Sequence, residues 1–192
     1  MKNRIVNIII VVAIGFAGLS FTTKDGAKKE AKIEKSKIVW KAYKVTGSHV
    51  GTIDLKEGTL IFEKGKLIGG KFTIDMTTIA NTDQKGEYKQ KLEKHLKSDD
   101  FFRVKKYPAS TLTFEKVKAI GKNSYRVTGD LTIKGITDAI DFEISVYGRK
   151  ATATLKIDRA KYNVKFGSTS FFDNLKDKAI YDEFDLVVDL EF

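Results

Sequence analysis

Residues 125–146 read YRVTGDLTIKGITDAIDFEISV, and this stretch decides the fold. Tyr125, Val127, Leu131 and Ile133 alternate with Arg126, Thr128, Asp130 and Thr132. After the turn pair Lys134-Gly135, Phe142, Ile144 and Val146 alternate with Glu143, Ser145 and Tyr147. A period of two puts apolar side chains on one face of a strand and polar ones on the other. Antiparallel sheets with one wet face read this way, whereas doubly covered parallel strands read as continuous apolar runs.

The same period extends outward in both directions. Phe72, Ile74 and Met76 alternate with Lys71, Thr73, Asp75 and Thr77. Ala151, Ala153, Leu155 and Ile157 form a further apolar row, as do Phe184, Leu186, Val188, Leu190 and Phe192. Turn signals recur at Lys56-Glu57-Gly58, Lys64-Gly65-Lys66, Gly121-Lys122-Asn123 and Gly148-Arg149-Lys150. Roughly eight to ten strands follow from this spacing, which predicts a sandwich or a barrel. Pro108 sits at the start of a strand, where a missing N–H is tolerated. One stretch departs from the pattern. Asp83–Ser98 spaces Tyr88, Leu92 and Leu96 four apart and sets Glu87 before Lys91 and Glu93 before Lys97. That predicts one short amphipathic helix, on the flank of the sheet or over one end. No second domain and no repeat of 20–50 residues is visible.

The chain has 192 residues, 35 basic and 25 acidic, for a formal charge of +10, and no cysteine. A disulfide scaffold, a thiol nucleophile and a thiolate metal site are therefore excluded. Lys2 and Arg4 precede the apolar run from Ile5 to Leu19. This reads as a signal peptide over 1–20, too short for a comfortable membrane span of ~20 apolar residues. Residues 21–37 read as a Lys-rich solvated linker and 38–192 as the folded domain. The expected location is periplasmic or secreted.

The chemistry motifs argue mostly by absence. Ser48 and His49 are adjacent on a strand and point to opposite faces, so they make no nucleophile–base pair. Neither a G-x-S-x-G elbow nor a phosphate-cradling glycine loop occurs. The carboxylate pairs Asp99/Asp100 and Asp182/Glu183 are consecutive, as in turns, and do not converge from separated segments as a glycosidase requires. The expectation is a non-enzymatic protein with no catalytic residue, no metal site and no cofactor. His95 falls on the helix at a surface or boundary position. His49 is the one candidate for a contact to a ligand head group. Eight of the 35 basic residues fall within 24–44, and the rest are spread. Phe residues that point inward cannot also stack on nucleic acid, so no nucleic-acid partner is expected. Weak contact with anionic membrane surfaces is the functional alternative to a merely solvated basic surface. Oligomeric state stays open.

Four short segments together resemble a known family. His95-Leu96-Lys97-Ser98-Asp99-Asp100-Phe101-Phe102 with Val104-Lys105-Lys106-Tyr107-Pro108 is similar to its helix-to-loop signature. Val127–Thr137 resembles its hairpin, Phe72–Ile79 its "F-IDM-SI" strand and Ile157–Tyr162 its "IDR--Y" strand. In this order they resemble the YceI-like lipid-binding family. Asp138-Ala139 departs from the family's Lys-Pro, and the strand carrying His49 reads as short and glycine-rich.

The resemblance implies a lipocalin-like antiparallel barrel of eight strands around a long apolar ligand: a polyisoprenoid, an isoprenoid quinone or a fatty amide. The apolar faces then supply the expected lumen: Phe72, Ile74, Met76, Leu112, Phe114, Val127, Leu131, Ile133, Phe142, Ile144 and Val146. Leu92, Leu96, Phe101 and Phe102 are expected to form one end of the cavity or a lid. Periodicity alone does not say whether such a barrel is packed or open.

Overall fold

The computed structural model describes residues 27–192. The expected signal segment, 1–20, and residues 21–26 of the expected linker lie outside the described residues. Nine strands follow one another: β1 (Lys29–Lys32), β2 (Lys35–Lys44), β3 (Gly47–Glu63), β4 (Lys66–Asn81), β5 (Ala109–Ala119), β6 (Ser124–Ile133), β7 (Ile136–Tyr147), β8 (Lys150–Asp158) and β9 (Ile180–Glu191). Helix α1 (Gly86–Lys97) joins β4 to β5. Two 3-10 turns, Arg159–Tyr162 and Lys176–Lys178, lie between β8 and β9.

Every pairing is antiparallel. From β2 the sheet runs through β9, β8, β7, β6, β5 and β4 to β3, which pairs with β2 again. This is the expected eight-stranded barrel with one helix. All the pairings among the described residues lie within 29–191, and the barrel closes within that segment.

The turns explain the hairpins. Lys64-Gly65 and Lys134-Gly135 each have positive φ at both residues (50° and 76°, 52° and 74°). Two-residue loops of that hand match the twist of the flanking strands. Lys56-Glu57-Gly58 is not a turn. It lies inside β3, where the register against β4 slips between Leu55 and Glu57. A bulge of this kind bends a strand without ending it. At 17 residues β3 is therefore the longest strand, not the short one expected around His49.

The linker boundary also needs correction. Residues 29–32 pair with β3 from Lys29↔Phe62 to Lys32↔Thr59, and β2 already begins at Lys35. Main-chain pairing is indifferent to lysine side chains that point to water, so composition alone concealed this strand. It covers an edge of β3 that β2 leaves unpaired.

The barrel has two unlike ends. The β3–β4, β5–β6 and β7–β8 hairpins make one, and it is plugged. Leu60, Leu67, Tyr125, Val127 and Ala151 are buried there. The other end carries α1 and the 98–108 segment, the β2–β3 and β6–β7 hairpins, and the β8–β9 loop.

Candidate functional site, an apolar lumen under a lid

A cavity of about 160 Å³ occupies the barrel on the α1 side of the plug. Of the expected lumen residues, Phe72, Ile74, Met76, Leu112, Phe114, Leu131, Ile133, Phe142 and Ile144 line it. Val127 and Val146 do not. Val127 is fully buried in the plug, and both lie toward the hairpins of that end, beyond the point where the cavity stops. Other strands complete the wall: Ile38, Trp40 and Ala42 from β2, and Phe184, Leu186, Val188 and Leu190 from β9. The β9 row was visible as an alternation, but its place across the lumen from β5 required closure of the sheet.

Trp40 shows how locally the wall is shaped. Its indole lies over Gly51, where any Cβ would overlap the Ala80 carbonyl and the indole itself. Its Nε1–H donates to the Thr52 carbonyl at 3.2 Å.

The lid consists of Leu96, Phe101 and Phe102, each buried and each lining the cavity. Leu92 packs against the core from the same helix but does not reach the cavity. Tyr88 is 74% exposed, so it leaves the apolar face on which its spacing placed it. Glu93 does not pair with Lys97. Its carboxylate accepts the Asn81 backbone N–H at 2.9 Å and lies 3.7 Å from Lys89, which ties the helix back to β4. Glu87 and Lys91 pair as expected, at 2.7 Å. After α1 the chain turns sharply: Phe102 and Val104 donate backbone N–H bonds to the Leu96 and Lys97 carbonyls. This turn directs Phe101 and Phe102 inward. His95 sits at the boundary, edge-on to Phe166 with ring centres 4.3 Å apart.

Arg159 is the main feature that sequence reading missed. It is 3% exposed and lines the cavity with its stem. Its guanidinium donates to the carbonyls of Val164, Phe166, Ile180 and Tyr181 at 2.9–3.2 Å. Nη2 also lies 3.2 Å from Asp182 Oδ1. Asp182 Oδ2 accepts the Ser168 and Ser170 hydroxyls at 2.9 and 2.7 Å. Burial pulls the Arg159 pKa down, while Asp182 and Asp158 pull it back. Four of its five donors are committed to these carbonyls and Nη2 also abuts Asp182, so Arg159 stabilises the β8–β9 loop. Asp182 is thus a structural anchor, not the solvent-facing turn residue that its pairing with Glu183 implied.

His49 does not line the cavity. It pairs with Asp83, Nδ1 to Oδ2 at 3.0 Å, where β4 leaves for α1. Burial alone would raise the Asp83 pKa. Hydrogen bonds from His49, the Asn81 amide and the Val50 N–H outweigh it and hold Asp83 below the ordinary carboxylate value. His49 therefore anchors the helix entrance, away from the cavity beside which a head-group contact was expected.

One polar group faces the lumen unpaired. Ser110, on β5 near the lid, is 5% exposed, and its hydroxyl has no hydrogen-bond partner among the described residues. Tyr181 stands at the same end, bordering the cavity, and is 55% exposed on the outer face of β9. Among the described residues, no group of three His, Cys, Asp or Glu side chains is placed to hold a metal.

The solved structures that resemble this barrel agree on its architecture. BcnA of Burkholderia cenocepacia superposes with a TM-score of 0.65 at 23% identity, covering 81% of this chain and 94% of that one. A polyisoprenoid binding domain from Saccharophagus degradans, implicated in plant cell wall breakdown, gives 0.58 at 17% identity, with 85% and 99% covered. A UPF0312 protein of Pseudomonas putida (strain W619) is 31% identical over 142 residues, 71% of each chain. The protein YceI of Escherichia coli O157:H7 is 27% identical over 146 residues, 72% of this chain and 73% of that one. The family description "YceI-like domain" matches residues 29–192, from the edge strand β1 through the whole barrel, and the chain belongs to that family.

Proposed function

We propose that this is an exported, non-catalytic protein that holds a long-chain isoprenoid lipid in its lumen, for transport, storage or sequestration. The ligand classes are a polyprenyl chain, an isoprenoid quinone or a fatty amide. The observation that carries the reading is the cavity: apolar on every strand, plugged at one end and lidded at the other. The Saccharophagus domain, described as polyisoprenoid binding, supports it by likeness of fold. Export rests on the apolar segment at the start of the chain.

The energetics suit a tail. Burying a CH₂ contributes about 0.8 kcal/mol, so about ten to fifteen buried carbons offset the cost of association and reach micromolar affinity or better. The closed lumen matches the roughly 150 Å³ cavity that takes a benzene ring. A full prenyl chain therefore needs the lid and lumen side chains to move, and Met76, with a flexible thioether, adapts most readily. The plug at the hairpin end directs the tail inward and leaves the head at the lid, beside Ser110.

Native mass spectrometry of the purified protein, followed by organic extraction, tests this. A stoichiometric added mass that resolves to a prenyl chain, a quinone or a fatty amide is expected. An unchanged apo mass after incubation with all three classes overturns the reading.

A further inference from the structure

Eleven large apolar side chains stand exposed among the described residues, and they are unevenly placed. Phe166 (44%), Phe171 (40%) and Phe172 (49%) share the β8–β9 loop. Tyr181, Val45 and Ile136 flank them at the same end. The plugged end shows Ile68, Ile120 and Tyr147, without a phenylalanine among them. Grouped exposed aromatics mark an interaction site.

Beside this group lies an open cleft of about 860 Å³. Arg103, Lys134, Lys165 and Lys178 line it, together with Asp99 and Asp100. Arg103 is paired with Asp99 at 3.2 Å. Lys134, Lys165 and Lys178 take part in no ion pair among the described residues. Burial, then repulsion from Arg103 and Lys165, lowers the Lys134 pKa, as crowded cations require. The Lys165 ammonium lies 5.0 Å from the Phe171 ring centre, so charge and aromatic surface are presented together. Asp173 and Asp177 on the same loop offset much of this charge, and the exposed Lys176 between them keeps the balance positive.

We propose that the lid end is a docking face for an anionic phospholipid bilayer, with Phe166, Phe171 and Phe172 entering the head-group layer and Lys134, Lys165 and Lys178 meeting its phosphates. Aromatic rings favour the membrane–water interface, and basic side chains near an anionic leaflet add attraction that salt screens. Lysine also occurs at the plugged end, on the hairpins at Lys64 and Lys122. Charge alone therefore does not choose a face. The coincidence of cations outside any ion pair with grouped exposed phenylalanines does. Docked this way, the lid faces the bilayer, and an apolar ligand passing the lid would move between lumen and membrane without crossing water. The docking itself does not depend on what fills the lumen.

The test uses residues 27–192 and vesicles of phosphatidylcholine, with or without about a third phosphatidylglycerol. Co-sedimentation is expected only with the anionic vesicles and is expected to weaken as salt rises. Lys165→Glu with Lys178→Glu, and separately Phe171→Ser with Phe172→Ser, are each expected to weaken it by about tenfold or more. Lys64→Glu with Lys122→Glu, at the plugged end, is expected to change it less than about threefold. A Phe172→Trp variant should shift its emission to the blue on anionic vesicles and be quenched by brominated lipid. No binding to the anionic vesicles overturns the proposal. Equal loss from variants at both ends also overturns it, because that would be diffuse attraction of a basic protein. An unchanged Phe172→Trp spectrum on bound protein overturns the orientation and with it the docking face.

Discussion

The Arg159 guanidinium lies 5.5 Å from the centre of the Phe101 ring. The residue that gathers the β8–β9 loop thus also braces the lid that follows α1. Two segments far apart in sequence meet here, and the His95–Phe166 contact joins them as well.

Removing those donors strands four carbonyls and the Asp182 carboxylate in a poorly solvated place. Arg159→Met, which keeps most of the stem, should cost about 3–5 kcal/mol and lower Tm by roughly 6–20 °C. Arg159→Lys should recover only part of this, because an ammonium cannot reproduce the planar fork. Thermal unfolding by circular dichroism checks both. An unchanged Tm in either variant shows that the loop is held by something else.

Ser110→Ala separates the polar anchor from the apolar lumen. Stability should stay the same or rise slightly, since an unpaired buried hydroxyl is removed. Affinity for a prenol or quinone should fall about three- to tenfold, while affinity for a plain hydrocarbon such as squalene should not change. Titration of each ligand into parent and variant reads the difference. Equal losses for both ligands would contradict a hydrogen bond from Ser110.

Asp83 should give the α1 entrance a pH dependence. Its pKa is lowered in the fold, so its contribution is complete above the unfolded value near ~4 and is lost as pH falls through the folded value. The pair is partly solvent-exposed, so the contribution at neutral pH should be no more than about 1–2 kcal/mol. Asp83→Asn should therefore be less stable than the parent at pH 7 and converge with it as pH drops below the carboxylate range. Urea unfolding across pH would show this, and a gap that persists in acid would not fit.

Tyr162 works in the opposite direction. Burial first, then Asp138 and Asp158, push its pKa up to about 12, and its buried hydroxyl has no partner among the described residues. A raised folded value means stability is intact below the unfolded value near ~10 and is lost between there and about 12. Tyr162→Phe should match or exceed the parent Tm at pH 7 and should flatten the alkaline fall. A drop in Tm at pH 7 would show that the hydroxyl makes a bond after all.

Much of this molecule was legible in its residues. Strict alternation in β4, β6, β7, β8 and β9 set which side chains turn inward, because successive Cβ atoms in a strand point to opposite faces. Seven of the cavity-lining residues lie on those strands, and Leu112 and Phe114 on β5 and the three lid residues were expected from the family resemblance. The Lys-Gly pairs marked two hairpins, because a glycine readily accepts the positive φ those turns require. Local rules of this kind act over a few residues, so a sequence can show them.

What the tertiary structure alone decided are the relationships closed over long loops. The strand hidden in Lys29–Lys32 exists because β3 offers it an edge. Val127 and Val146 obey the same alternation as their neighbours, yet they lie toward the plugged end, because position along the barrel axis depends on strand stagger and not on parity. His49 reads as a contact for a ligand until Asp83, 34 residues away, claims it. Arg159 has no partner legible in the sequence until four carbonyls from 164–181 converge on it. Periodicity determines which way a side chain faces, and only closure of the barrel determines what it faces.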